Sequence, residues 1–229
     1  MVSAVIVAAG HGVRMQSGTR KQYLLLAGRS VVVRTLQQFD ACPLIDQICL
    51  VVAEEDLDFC RRCLLADGQV HKPLQFVAGG RERQQSVYSG LRSLAAEEGL
   101  VAIHDGVRPL IDPLLIAACI RVAQTSGACV PGIPAYDTIK RVNAEGTIAA
   151  TLDRKDLWLI QTPQVFRYAI IVEAHARALR DGYTGTDDAA LVERLGYPVS
   201  LITGSKSNIK VTTAEDLVMA AALIRAAGQ

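Results

Sequence analysis

The sequence has almost no net charge, no stretch long enough to cross a bilayer and no second cysteine pair, and each shortage removes a class of function. Across 229 residues, 24 Lys and Arg stand against 23 Asp and Glu. No global field would hold such a protein on nucleic acid or on an anionic membrane, so any anion selectivity must be built locally. The apolar start, Val2 to Ala9, lacks the positive flank and the length of a signal peptide, and no window approaches the ~20 apolar residues of a spanning helix. The expected location is the cytoplasm, with neither a membrane nor a nucleic-acid partner. Of six cysteines only Cys60 and Cys63 form a close pair, in D-L-D-F-C-R-R-C-L-L, which reads as a helix. With no second pair to complete a zinc site, they are expected to pack as small buried hydrophobes, without disulfides. Internal repeats, low-complexity tracts and Pro/Gly/Ser-rich linkers are absent as well.

What is present is the composition of a compact fold: 50% hydrophobic and 21% charged. The length suits one α/β domain over residues 1–229. Short apolar runs read as buried strands at Ala4–Ala8, Gln47–Ala53, Leu74–Val77, Leu100–His104, Ala128–Ile133 and Val199–Ile202. Between them, apolar spacing near 3.6 predicts helices such as Val31–Phe39, Gln84–Leu94, Pro113–Thr125 and Ala169–Leu179. That alternation implies a Rossmann-like, mostly parallel sheet covered by helices on both faces, with ligands beyond the carboxyl ends of the strands. One stretch departs from it. Thr138–Val142 and Thr147–Leu152 flank Asn-Ala-Glu-Gly at 143–146 and predict a β-hairpin, part of an arm at about 134–158. A lone hairpin is marginal in water, so this one is expected to pack on a second copy of the chain.

The first strand runs into A-A-G-H-G-V-R-M. Ala8, Ala9, Gly10 and Gly12 let the backbone approach a ligand closely and turn N–H groups toward phosphate oxygens. The loop is neither a dinucleotide fingerprint, since Met15 replaces the third glycine, nor a P-loop, since no G-K-[ST] follows. Arg14 and Lys21 instead supply two cations close enough in sequence to serve one phosphate chain. A second strand ending, A-I-H-D-G-V-R-P, puts Asp105 where a carboxylate is costly for packing alone, with Arg108 three residues on. Asp105 suits Mg²⁺ or a ribose; His104 is expected to be a hydrogen-bonded structural residue rather than a base. In A-G-G-R-E-R-Q-Q-S-V the glycines could let backbone groups read a base edge near Ser86. G-T-D-D-A suits either a binding role or a helix start with Thr186 as its cap.

Taken in order, these motifs with K-Q-Y, D-T-I-K-R, D-R-x-x-L-W, Q-T-P-Q and N-I-K-V-T resemble the 2-C-methyl-D-erythritol 4-phosphate cytidylyltransferase family along nearly the whole chain. The resemblance implies transfer of CMP from CTP to methylerythritol phosphate with release of pyrophosphate, a homodimer joined by hairpin arms, and Mg²⁺. It places Arg14, Lys21 and Lys210 around the reacting phosphates and Asp105 near ribose and metal. Gly80, Arg81 and Ser86 fall on the cytosine side, with any contact from Arg81 assigned to its backbone. Methylerythritol phosphate would meet Arg108, Thr138, Arg154, Thr162, Thr186 and Lys210, with Thr138 and Arg154 arriving from the partner's arm. Two alternatives stand beside this reading: a ribitol 5-phosphate cytidylyltransferase with the same nucleotide half, and a noncatalytic nucleotide-binding module. Retention of Arg14, Lys21, Asp105 and Lys210 together disfavours the second, because a sensor needs affinity but not cations focused on one phosphorus.

Overall fold

A computed structural model describes residues 1–10, 20–66, 69–94 and 99–227, with the side chains of 63–66 outside the described set. In chain order the elements are β1 (Val2–Val7), β2 (Leu25–Leu26), β3 (Arg29–Ser30), α1 (Val31–Ala41), β4 (Gln47–Val52), α2 (Leu57–Ala66), β5 (Leu74–Ala78), α3 (Arg83–Ser93) and β6 (Leu100–Asp105). There follow α4 (Pro113–Ser126), β7 (Ala128–Pro134), β8 (Lys140–Val142), β9 (Ile148–Thr151), β10 (Trp158–Ile160), β11 (Gln164–Arg167), α5 (Tyr168–Arg180), α6 (Asp188–Arg194), β12 (Ser200–Thr203) and α7 (Ala214–Ala226). Single 3-10 turns cover Lys21–Tyr23 and Glu54–Asp56.

Among the described residues, eight strands form one sheet in the order β10-β7-β11-β6-β1-β4-β5, with β12 also paired to β7. The pairs β5/β4, β4/β1, β1/β6 and β12/β7 are parallel; β11 and β10 run antiparallel to their neighbours. The mostly parallel sheet expected from the alternation is therefore found. The two antiparallel strands give no sequence signal of their own, being 3 and 4 residues long and so too short to show a period.

Successive strand side chains face opposite sides, and both sides here are dry. Ala4 and Ile6 pack with Leu36, Phe39, Ile116 and Ile120 beneath α1 and α4. Val5 packs on the other face with Val87, Leu91 and Ile171 from α3 and α5. Double coverage explains why the strands read as continuous apolar runs rather than alternating ones. Local chemistry sets the helix ends. Ser30 Oγ accepts the Val33 N–H at the start of α1, and Asp112 accepts the Leu114 N–H ahead of Pro113, whose missing donor suits the first helical position. Gly127 ends α4 at φ 86°, a left-handed conformation that glycine adopts without a Cβ penalty. Thr213 and Asp216 form a capping box at the start of α7. One cap differs from expectation: α6 is capped by Asp187, which accepts the Ala190 N–H at 2.9 Å, and not by Thr186. The helix starts at Asp188, so only the residue just before it can reach that orphan donor.

The hairpin forms as β8 and β9, shorter than predicted, in a two-stranded sheet separate from the main one. Gly146 turns at φ 80°, and Asn143 donates to Thr147 from both its backbone N–H and its side-chain amide. Its apolar residues Val142 and Ile148 are 56% and 64% exposed, so no other described residue buries them. In α2, Cys60 is buried with its sulfur 3.2 Å from the Tyr23 hydroxyl, as a packing residue; the Cys63 side chain lies outside the described residues. No helix among the described residues is long and apolar enough to cross a membrane.

Candidate active site at the carboxyl ends of the strands

Backbone bonds carry the sheet past its strand ends. Ala8 N–H donates to Val51 O at 2.7 Å, Gly79 N–H to Val52 O at 2.7 Å, and Gly106 N–H to Val7 O at 2.9 Å. The loops after β1, β5 and β6 are thereby laid side by side, where a doubly covered parallel sheet binds ligands. A Cβ on Gly79 would lie 2.5 Å from the Ala9 Cβ and 2.8 Å from Ser86 Oγ, so only glycine lets the two loops meet. They frame a cleft that opens to solvent. Ala8, Ala9 and Gly10 line it on the side of the first loop, with Lys21 beside them. Gly80, Arg81 and Ser86 face them, and Asp105 and Lys210 complete the wall. Gly12 and Arg14 lie outside the described residues.

Each residue of K-Q-Y has its own task. Lys21 lines the cleft. Gln22 is buried and donates from Nε2 to the carbonyls of Ala8 at 2.8 Å and Gly10 at 3.2 Å, tying the turn to the glycine loop. Tyr23 donates its hydroxyl to Asp56 at 2.9 Å, while Arg20 pairs with Glu55 and Asp56. The lysine is thus carried on a turn anchored at both ends. On the opposite wall, Ser86 Oγ accepts the Gly80 N–H at 3.1 Å and Gln85 Oε1 accepts the Arg81 N–H at 3.0 Å. These N–H groups, read from the sequence as possible base contacts, are engaged in shaping the turn, and Ser86 is buried beneath it.

Charge converges on Asp105. Its Oδ1 accepts Arg83 Nε at 3.0 Å, and its Oδ2 lies 2.9 Å from Lys210 Nζ and 3.5 Å from Arg108 Nε. Burial alone would raise the pKa of this carboxyl, but Arg83, Lys210 and Arg108 more than offset it and hold it well below the usual carboxylate range. Arg83 also reaches Asp188 through Nη1 at 2.7 Å; burial would lower its pKa, yet the two carboxylates raise it. The chain returns Lys210 to this point through a dense set of bonds: Asn208 Nδ2 donates to Thr162 O at 2.8 Å, Arg108 Nη1 to Asn208 O at 2.7 Å, and Val211 N–H to Val107 O at 2.8 Å. His104 is fully buried between Thr162 Oγ1 at 2.9 Å and Arg108 O at 3.2 Å. The carbonyl requires a proton on Nε2, so Nδ1 accepts from the threonine. Burial lowers its pKa to about 3, which fits the expected structural role.

The residues expected to meet the acceptor fall in three places. Arg108 and Thr162 stand behind Asp105, the Thr162 hydroxyl accepting the Asp105 N–H at 3.2 Å; neither lines the cleft. Thr186 is exposed and lines a neighbouring cleft that shares Glu82 and Arg83 with the first. Thr138 and Arg154 lie exposed on the arm, Arg154 bonded to Tyr136 O, and do not line the cleft of their own chain. Three contributors escape a reading of the sequence: Gln22, Arg83 and Asp188. Arg83 sits in a motif noted for its glycines, and its two carboxylate partners are 22 and 105 positions away.

Comparison with known proteins agrees with this geometry. The family model described as 2-C-methyl-D-erythritol 4-phosphate cytidylyltransferase (IspD) matches residues 2–226. A protein of that name from Syntrophus aciditrophicus is 48% identical over 224 residues, covering 98% of this chain and 96% of its own. Another from Pelotomaculum thermopropionicum is 46% identical over 225 residues, covering 98% and 94%. The crystal structure of 4-diphosphocytidyl-2C-methyl-D-erythritol synthase from Anaerococcus prevotii aligns with a TM-score of 0.86 at 31% identity, covering 98% of this chain and 96% of that one. With a cationic cleft in the expected place and relatives matched nearly end to end, the chain belongs to the 2-C-methyl-D-erythritol 4-phosphate cytidylyltransferase family.

Proposed function

We propose that the cleft between the glycine loop and the Gly79–Ser86 turn is where this nucleotidyltransferase moves CMP from CTP to 2-C-methyl-D-erythritol 4-phosphate, releasing pyrophosphate, in isoprenoid biosynthesis. The observation that carries the reading is the convergence of Lys21, Lys210 and Asp105 on one cleft from distant parts of the chain. A phosphate oxygen of the acceptor attacks the α-phosphorus of CTP in line, the bond to the bridging oxygen breaks, and negative charge gathers on the nonbridging oxygens. The acceptor phosphate is already an anion near neutral pH, so no strong base is required, and His104, engaged at both ring nitrogens, is not asked to be one. The chief obstacle is repulsion between two anions. Lys21 and Lys210 answer it as cations at the cleft, each worth on the order of 3 kcal/mol in the transition state. Arg14 belongs to the same cationic set in this reading, and the backbone of Ala8, Ala9, Gly10 and Gly12 to the phosphate cradle. Gly80, Arg81 and Ser86 are assigned to the cytosine side.

Mg²⁺ fits the residues in one specific way. No group of three His, Cys, Asp or Glu gathers among the described residues, so the chain offers no all-protein cage. Asp105 has one hydrogen bond on Oδ1 and keeps a lone pair there, which suits an ion that takes a single carboxylate and completes its shell with phosphate oxygens. When bound, it would neutralise charge on the triphosphate. For the acceptor, Arg108, Thr138, Arg154, Thr162, Thr186 and Lys210 remain the assigned set, with Arg108 and Thr162 acting through Asp105 and Lys210. Thr138 and Arg154 come from the arm of a second copy. The exposed Val142 and Ile148 support that homodimer, since pairing would bury them. The five described cysteines are free and buried, in keeping with a reducing cytoplasm. The family match does not favour the ribitol 5-phosphate reading. The test is pyrophosphate release with CTP, UTP and ATP, each paired with methylerythritol phosphate and with ribitol phosphate. Release confined to CTP with methylerythritol phosphate is expected; exclusive use of UTP would overturn the reading.

A further inference from the structure

Two buried groups behind the cleft have no part in the chemistry above. Asp188, the first residue of α6, and His175, on α5, are each 1% exposed at the side chain, and neither lines the cleft that holds Lys21 and Lys210. Asp188 Oδ1 accepts His175 Nε2 at 3.1 Å, its Oδ2 accepts Arg83 Nη1 at 2.7 Å, and its N–H donates to Gln164 Oε1 at 3.1 Å. From Arg83 the row continues through Nε to Asp105 Oδ1 at 3.0 Å, and from Asp105 Oδ2 to Lys210 Nζ at 2.9 Å. Charges of alternating sign thus connect α6 to the cation assigned to the reacting phosphate, with His175 of α5 hydrogen-bonded at the far end.

We propose that Asp188, seated by His175, is a positioning residue that fixes Arg83 as a clip on Asp105 and thereby frees Lys210 to turn from Asp105 to a phosphate oxygen. The planar guanidinium spans two carboxylates only when both are in place, so its orientation is set from Asp188. An unpaired buried carboxylate is costly. While the clip holds, Asp105 keeps a hydrogen-bonded cation after Lys210 departs. Without it, Lys210 is retained as counter-ion. Arg108 is a weaker counter-ion than Arg83, since its Nε stands 3.5 Å from Oδ2 with no hydrogen bond among the described residues.

The inference rests on the assignment of Lys210, and steady-state kinetics of the full chain with CTP and methylerythritol phosphate separate the two ideas. Near-normal turnover of Lys210→Ala overturns that assignment, and this inference with it. If Lys210→Ala is crippled, Asp188→Asn is expected to lower kcat about tenfold while both KM values stay within about threefold. In the Lys210→Ala background the same substitution is expected to cost less than about twofold more, because it acts through that lysine. A merely structural role would reduce the melting temperature and the folded fraction, yet leave kcat per folded enzyme intact. Unchanged kcat in Asp188→Asn, or a loss that multiplies fully with Lys210→Ala, overturns the clip alone. Should Asp188→Asn not fold, Arg83→Lys carries the same cycle, since a point charge cannot span both carboxylates. Its loss is expected to be non-multiplicative with Lys210→Ala, and full multiplication overturns the proposal.

Discussion

Replacing Asp105 by asparagine tests how far the site contributes to the stability of the protein that carries it. The substitution removes one negative charge from the point where Arg83, Lys210 and Arg108 converge and changes almost no volume. Removing one partner of a buried ion pair costs roughly 3–5 kcal/mol. Two features point to the lower end: Lys210 is 41% exposed and well screened, and an asparagine oxygen can still accept the Arg83 N–H. About 3 kcal/mol is therefore expected, and for a chain of this size that is a fall in melting temperature of roughly 6–12 °C. The pH dependence supplies an independent sign. The folded pKa of Asp105 is depressed, by cations that outweigh burial. Its contribution is therefore fully present above the unfolded value of about 4 and is lost as pH falls toward the folded one. Parent and variant should differ most at neutral pH and converge in acid, in parallel thermal melts at matched ionic strength. A variant melting within about 2 °C of the parent at pH 7, or a gap that widens on acidification, would refute the account.

Lys21→Ala should lower kcat on the order of 100-fold, about 3 kcal/mol, with much smaller changes in KM for either substrate; near-normal turnover removes Lys21 from the reacting centre. Gly79→Ala forces a Cβ to within 2.5 Å of the Ala9 Cβ, which only backbone movement relieves. It should destabilise the protein by about 1–3 kcal/mol and raise the KM for CTP, and an unchanged KM would show that the two loops need not meet. In the arm, Ile148→Asp should shift the sedimentation coefficient from dimer toward monomer and reduce activity through loss of the partner's Thr138 and Arg154. A parent chain already monomeric at micromolar concentration sinks that reading. Asp187→Ala should cost ~1 kcal/mol as a lost helix cap, whereas Thr186→Ala should leave the melting temperature nearly unchanged and raise the KM for the acceptor phosphate.

The parts of this protein legible from sequence are those whose causes are local. Val32, Leu36 and Phe39 follow the helical period because they share one face of α1, and Pro113 with Gly127 brackets α4 because proline suits a first helical position and glycine a left-handed end. Lys21 and Asp105 are equally open to reading, Lys21 from the glycine motif ahead of it and Asp105 as a carboxylate at the end of a buried strand. The start of α6 was legible only to within one residue: Thr186 and Asp187 both cap helices well, and the choice between them fell to where the backbone turned.

The sequence alone determined the alternating elements, the doubly covered sheet, the edge at which a ligand must sit and, through its ordered motifs, the family. Tertiary structure decided what each charge does there. Arg83 finds Asp188 across 105 positions, Asn208 helps bring Lys210 back over the cleft, and Thr162 and Arg108 turn out to stand behind Asp105. No local pattern encodes such pairings, because an ion pair between distant segments depends on where the packed core places their backbones and on how little water remains between them.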